Sequence, residues 1–540
     1  MPTSPPPGGP SETPSTTRGG LRRSLLILLA APLSLTLWSL VAEYAALSTP
    51  QSSFLALVRS ASDVTSGAQL YPAGVFALDW NTRVPAGELL HVTALHAACV
   101  KHKDAVIPWD FGIGRLNGSG DAADAVLQDD GPALVLESDP ELLEKLRVCP
   151  DVDVFIPRGI RSFGYCEDAA VYTKFLQSRM LPSWVMTLEF RDAQHNRTLT
   201  YHDLCPHTPV IVFNHYWEGV HETPSWPAAK PIYLMPNIEM HELKAEQFAR
   251  ADVVLCKTAL CARNLNKWFA QEGNPRGTTV LYTRHTTSDV ALAARATLGD
   301  AAIRPKNYSS VRFTHTAGTS IQKGTSRILD CWITRPDLPP VDVYIAEELY
   351  KAQFASYFDQ FVQNATNIRV HLGKLNATQF GQVVAESSFF LCPSYQEGYG
   401  HYINQARASG GMILTTDVPP MNELITPDSG VLMRAAGTFS FSGQFLGGTS
   451  DAEKALRGVD GFVAQFTGKE VCASVAAMLQ TKSAAAFAAS ARRARQMFLF
   501  DTIFFAQKMQ ELREFARAKS HHLRQRHGPR AAERNATSPE

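Results

Sequence analysis

The sequence predicts an α/β protein of two doubly wound parallel sheets facing a central cleft, with one N-terminal transmembrane helix, and three observations lead to that reading. Short apolar runs alternate with helical or loop sequence from about residue 152 to residue 433, the pattern of a parallel sheet covered on both faces. The alternation pauses between Tyr282 and Arg304 and then resumes, so two consecutive sheets are expected, with the cleft between them as the ligand site. A Leu-rich run without charge, Ser24 to Ala42, stands ahead of both.

Composition narrows the class. At 540 residues, 45% hydrophobic and 19% charged, the chain is too long for one core and too apolar to be disordered. Lys plus Arg equals Asp plus Glu at 51 each, so no overall field favours nucleic acid, and a charged ligand has to be held locally. Nine cysteines without a CxxC pair offer no zinc framework and leave at least one unpaired.

The run Ser24 to Ala42 has the length of one membrane span. Arg18, Arg22 and Arg23 precede it and Glu43 follows, so the charge bias keeps the N-terminus cytosolic and sends the rest into a lumen. A cleaved signal peptide is the alternative, although the apolar run is long for a signal sequence and no convincing small-x-small site follows. Pro32 would kink the span without forbidding it. Sequons at Asn117, Asn196, Asn307, Asn364, Asn376 and Asn535 suit a lumenal placement.

Element by element, residues 1–23 are a Pro/Ser/Thr/Gly-rich tail, 24–45 the signal-anchor and 46–70 a short stem. Residues 71–150 hold short elements but no motif. A first domain is expected over 151–300. It opens with a strand at Val152 to Ile156, a glycine loop from Arg158 to Gly164 and a helix over Glu167 to Met180. Further apolar runs follow at Trp184 to Leu188, Val210 to Phe213, Ile232 to Met235 and Val253 to Cys256. The second domain, 301–480, takes strands at Val311 to Thr314, Val341 to Ile345, Ile368 to Leu372, Phe389 to Leu391 and Met412 to Thr415. Terminal helices fill 481–518, with Phe498, Phe500, Phe504 and Phe505 as a packed face, and 519–540 is a basic tail.

The chemistry concentrates in Pro393 to Gly410. This run follows an apolar strand and leads into a helix, so its Gly398-Tyr399-Gly400 turn brings N–H groups at a helix start to the cleft. Such a turn can cradle a pyrophosphate, and Glu397 beside it can accept from sugar hydroxyls. Lys323-Gly324 follows another strand, a pair that would mean little alone.

The run resembles the donor signature of the retaining glycosyltransferases of family four: a Glu, seven residues and a second Glu, with Gly-Phe-Gly between. Glu397 matches the first Glu, which in that family contacts the transferred sugar. Position 405 carries Gln where the family has a ribose-binding Glu; an amide oxygen can still accept from a hydroxyl. Phe313 to Leu329, with Gly318, Lys323 and Gly324, resembles the strand and Lys-Gly that open the family's donor domain, with Thr319 and Ser320 in place of its usual Arg. Thr416 to Ile425 resembles its loop ending in Pro-Glu, and Gly430-Val431-Leu432 its next strand. Ala251 to Thr258 matches its Ala-Asp-strand-Ser run, a structural feature.

The resemblance spans about 150–480. It implies the GT-B fold and metal-independent transfer of a hexose from a nucleotide diphosphate sugar to a hydroxyl of a glycan, glycoprotein or glycolipid, with retention and without a cofactor. Lys323 and Glu397 would be catalytic; Gly318, Thr319, Gly398, Tyr399, Gly400, His401, Tyr402 and Gln405 would complete the donor site. The family's acceptor-side His is absent, and Asn237, Glu239 and His241 are the candidates in its place. A type II protein of the Golgi or another secretory-pathway membrane follows, with the catalytic part lumenal.

Each feature has a plainer reading. Glu397 can be a surface Glu, Lys323 a solvated lysine at a helix start, and Gln405 the polar face of a helix. Tyr395, Tyr399 and Tyr402 read as packing around the turn, and His315 as a satisfied buried histidine. Asp151-Val152-Asp153 matches an Asp-x-Asp metal motif, but it opens a buried strand with no other ligand set. Two rival functions are a catalytically degenerate scaffold that binds nucleotide or glycan, motivated by Gln405, and a glycosidase, which lacks an evident carboxylate pair.

Overall fold

The structure, a computed structural model, describes residues 70–113, 134–192, 196–214, 221, 226–448 and 451–527. The expected cytosolic tail, the span Ser24 to Ala42, nearly all of the stem, Asn117, Asn535 and the end of the basic tail lie outside these residues. Among the described residues no single helix is long and apolar enough to cross a membrane.

Strands are numbered along the chain. β1 (Ile107–Pro108), β2 (Asp153–Phe155) and β3 (Arg179–Leu181) belong to the first sheet, while β4 (Glu189–Asp192) and β5 (Arg197–Thr200) form a separate antiparallel pair. The first sheet continues with β6 (Val210–Phe213), β7 (Ile232–Met235), β8 (Val253–Cys256) and β9 (Thr279–Tyr282), in the spatial order β1-β3-β2-β6-β7-β8-β9. Only β1 runs antiparallel to its neighbour. β2, β6, β7 and β8 are buried at every position, as apolar runs covered on both faces should be.

The second sheet holds β10 (Phe313–Gly318), β11 (Val341–Ile345), β12 (Ile368–Leu372), β13 (Phe389–Cys392), β14 (Met412–Thr416) and β15 (Val431–Met433), all parallel, in the order β12-β11-β10-β13-β14-β15. The order reverses between β10 and β13, where a doubly wound sheet opens its binding crevice. An antiparallel ribbon, β16 (Gly437–Phe439) with β17 (Val463–Gln465), follows.

Two expectations are corrected. Trp184 to Leu188 is not a strand: Ser183–Thr187 is a short helix, and the strand is Arg179–Leu181 just before it. Arg179 hid that strand from an apolar criterion, because its guanidinium is buried on Asp153 (Nε to Oδ1 2.9 Å). The helix expected over 167–180 starts at Phe163 and ends at Leu176, where Gln177 turns left-handed. Asp153 also accepts from Tyr201 Oη (2.6 Å), and Asp151 from Arg513 and Arg517, so the Asp-x-Asp pair is structural.

The described residues of 71–150, a stretch left without a role by the sequence, build part of the first sheet's layer. The helix Ala86–Lys101 packs on Phe163–Leu176, and the Cys99–Cys166 disulfide joins the two. Cys149–Cys205, Cys256–Cys261 and Cys331–Cys472 are also bonded, and the one cysteine left over, Cys392, is a buried thiol. The helix Ala484–His527 serves both domains: Phe487 enters the core of the second, and Phe505, Met509 and Leu512 that of the first. Phe498, Phe500, Phe504 and Phe505 are fully buried, a packed face.

Candidate active site

The crevice at the β10/β13 junction collects the residues the sequence singles out. After β10 the chain passes through the exposed Gly318 and Thr319 into a short turn, Ile321–Lys323, and then the helix Thr325–Thr334. After β13 it runs through Ser394 to Gly400 into the helix His401–Ala408. Tyr395 N donates to Gln322 O at 2.8 Å, which fastens one loop to the other.

Lys323 and Glu397 meet here. The Lys323 ammonium lies 4.0 Å from the centre of the Tyr402 ring and 3.4 Å from Thr316 O. Burial lowers its pKa, and Glu397 opposes the shift. Ser394 Oγ donates to Glu397 Oε1 (2.5 Å) and bonds Tyr402 Oη (2.5 Å). Burial raises the Glu397 pKa against the pull of Lys323, Ser394, His401 and Lys257. The ammonium and the carboxylate are thus neighbours at one partly buried site, each shifted toward its neutral form.

Gly400 has φ +103° and opens the helix His401–Ala408, a conformation that a side chain would resist. Gly398 is glycine for another reason. A Cβ there would fall 2.4 Å from Glu239 Oε1 and 2.6 Å from Asn237 Oδ1, so two first-domain side chains press on the backbone of the turn. Asn237 and Glu239 therefore face Glu397 across the cleft. Glu239 Oε2 and Asn237 Oδ1 are buried without a hydrogen-bond partner among the described residues. Burial, with Glu397 and Asp168 adding to it, raises the Glu239 carboxyl to about 7. His241 is exposed and stands off toward Phe441, with ring centres 6.4 Å apart.

The remaining residues are more engaged with protein. Tyr399 is buried, and its hydroxyl donates to His285 O (2.8 Å). Gln405 Nε2 donates to Glu167 Oε1 of the first domain (2.9 Å). A Glu at this position would set two carboxylates against each other, which accounts for the amide. His315 contacts Leu391 O (2.8 Å) and Thr325 Oγ1 (2.9 Å) with its two ring nitrogens, and burial lowers it to about 4.

Four residues of the cleft escaped the sequence: Asp168, Lys257, His285 and Glu167. Asp168 is a hub. Lys257 Nζ reaches both of its oxygens at 3.1 Å, and His285 Nε2 and His401 Nε2 lie 2.7 Å and 3.2 Å from Oδ1. Burial alone would raise Asp168, yet Lys257, His401 and His285 hold it well below the usual carboxylate range. Asp168, His285 and His401 bring ligand atoms within 4.8 Å of one another, a set that could hold a cation. The Lys257 ammonium already balances that carboxylate. One sequence signal existed: Glu167-Asp168 is an acidic pair inside a mostly apolar helix. Chemically, the cleft offers a cation and a helix N-terminus for an anion, a carboxylate for a polyol, and a second carboxyl poised near neutrality on the opposite wall.

No family model and no curated protein sequence matches the chain. Among solved structures, the pneumococcal O-GlcNAc transferase GtfA in complex with UDP and GlcNAc aligns at 13% identity and a TM-score of 0.38 over 58% of this chain. The aligned part is 57% of GtfA's own length. Sucrose-phosphate synthase from Thermosynechococcus elongatus aligns at 13% identity and a TM-score of 0.41, over 63% of this chain and 84% of its own. Anabaena HepE in complex with UDP aligns at 15% and 0.37, over 56% and 77%. All three are remote likenesses.

Proposed function

We propose that this chain is a glycosyltransferase of GT-B architecture that moves a hexose from a nucleotide diphosphate sugar to a hydroxyl of a glycan or lipid acceptor. One observation carries the reading: the Lys323 ammonium and the Glu397 carboxylate, both partly buried, stand within electrostatic reach of each other beside the helix mouth opened by Gly400. A diphosphate between Lys323 and the N–H groups of that mouth would keep the ammonium charged, and charge developing on the leaving nucleotide would be stabilised there. Glu397, oriented by Ser394, would accept from hydroxyls of the sugar. Asn237 and Glu239 would orient the acceptor hydroxyl from the other wall. With the leaving diphosphate taking the acceptor proton, attack from the same face gives retention, and neither a metal nor a cofactor is called for. The reading includes a type II placement in the Golgi or another secretory membrane through Ser24 to Ala42.

The test is hydrolysis of a panel of nucleotide sugars together with titration by nucleoside diphosphates. Lys323→Met should weaken diphosphate binding about 10- to 100-fold, the worth of a charge-assisted contact. Glu397→Gln should cut donor turnover about 100-fold or more with the fold retained. Undiminished turnover in Glu397→Gln would refute its role. The engagement of Gln405 by Glu167 favours one alternative, a scaffold without turnover; diphosphate binding with neither hydrolysis nor transfer would select it.

A further inference from the structure

We infer that the second domain carries a site for an uncharged oligosaccharide in the cavity between the β16–β17 ribbon and the loops after β10 and β13. Its role as an acceptor subsite rests on the transferase reading; its capacity to bind does not. The cavity measures about 460 Å³, within the range of small-ligand sites. Tyr395 and Phe466 stack at 4.6 Å on one side, and Phe439 and Phe441 meet edge to face at 5.0 Å on another. Phe441 is 37% exposed and Ile321 47%. Apolar surface left open around a cavity marks a contact surface.

The polar lining selects the ligand. Arg327, held by Tyr395 Oη (2.9 Å) and Asp330 (3.2 Å), and Glu470, whose Oε2 accepts from Thr467 N (2.7 Å) and Oγ1 (2.6 Å), bring opposite charges to the lining. A charged ligand would therefore meet a wall without net charge to select it. Gln322 and Gln465 also line the cavity, and amides both donate to and accept from hydroxyls. Aromatic faces with an amide rim suit a pyranose, whose C–H face stacks on rings while its hydroxyls reach the rim. A lipid tail would leave the amides unused.

Position supplies the link to chemistry. Gln322 adjoins Lys323, Tyr395 stands two residues before Glu397, and the Tyr395 N to Gln322 O bond holds both loops together. A glycan in the cavity is thus anchored on the same two loops that carry the donor groups.

The test is calorimetric titration of the full chain, without nucleotide, with uncharged hexose oligosaccharides of two to four units and with octyl glycosides. The native protein should bind at least one free oligosaccharide. Phe441→Ala and Phe439→Ala should each weaken that binding at least 10-fold, with unfolding midpoints recorded alongside; Phe441→Tyr should restore it. Lys323→Met should leave it unchanged while lowering diphosphate affinity, which separates this site from the donor site and lets either reading fail alone. Absence of binding across the panel, binding indifferent to both alanine variants, or binding of octyl glycosides only would each overturn the inference.

Discussion

Glu239 is a carboxyl whose setting outweighs its intrinsic chemistry. Burial beside Glu397 and Asp168 raises it to about 7, against the ~4.3 of a solvated Glu. The folded protein holds this proton more tightly than the unfolded chain does. The stability it contributes is whole below about pH 4.3 and is lost as pH rises through 7. Glu239→Gln, which cannot ionise, should escape that loss. Urea unfolding at pH 5 and pH 8 should show the variant gaining on the native protein by about 1–3 kcal/mol at the higher pH; a constant difference would place Glu239 in water-like surroundings. The Glu397 partnership reads differently, since Lys323 and Ser394 keep that carboxylate engaged on its own side of the cleft.

At the scale of elements, helix ends join the domains. The helix Ala259–Glu272 of the first domain is capped twice: Thr258 Oγ1 accepts from Cys261 N (3.1 Å), and Glu423 of the second domain accepts from Ala259 N (2.7 Å) and Leu260 N (2.8 Å). A carboxylate at a helix N-terminus satisfies N–H groups that the helix cannot and favours the helix dipole. Glu423→Ala would leave two buried donors without partners. We expect a loss of about 2–4 kcal/mol in denaturant unfolding, whereas a loss under about 0.5 kcal/mol would mean that water replaces the carboxylate. The Pro-Pro-Met-Asn-Glu loop was visible in the sequence; that it reaches across the cleft was not.

For the molecule as a whole, the polar linker between the domains is the decisive feature. Thr283 to Asp289 are all buried, and the run that reads as a pause in the sheet pattern lies in the interior. Asp501 organises part of it. It pairs with Arg284 of the linker, Arg407 of the donor helix (2.7 Å) and the hydroxyl of Tyr71 (2.6 Å). Buried guanidinium groups are tolerated only when compensated. Asp501→Asn keeps the shape and removes the charge, so we expect about 3–5 kcal/mol of destabilisation in guanidinium unfolding. A loss below about 1 kcal/mol would mean that these arginines do not depend on Asp501.

The sequence by itself determined the alternation of strands and helices, the two sheets, the positions of Lys323 and Glu397 after strands, the glycine turn that follows Glu397 and the presence of an unpaired cysteine. Each of these is written in local patterning, which backbone geometry converts directly into structure. Tertiary structure alone decided that Asp168 gathers Lys257, His285 and His401, that Gln405 answers Glu167, that Arg179 lies in a strand and that the described part of 71–150 packs with the first sheet. Those outcomes depend on charges that are costly to bury until a partner arrives from elsewhere in the chain: 89 residues away for Lys257 and Asp168, 238 for Gln405 and Glu167. No local window contains both members of such a pair, so only the folded chain can set their balance of desolvation and attraction.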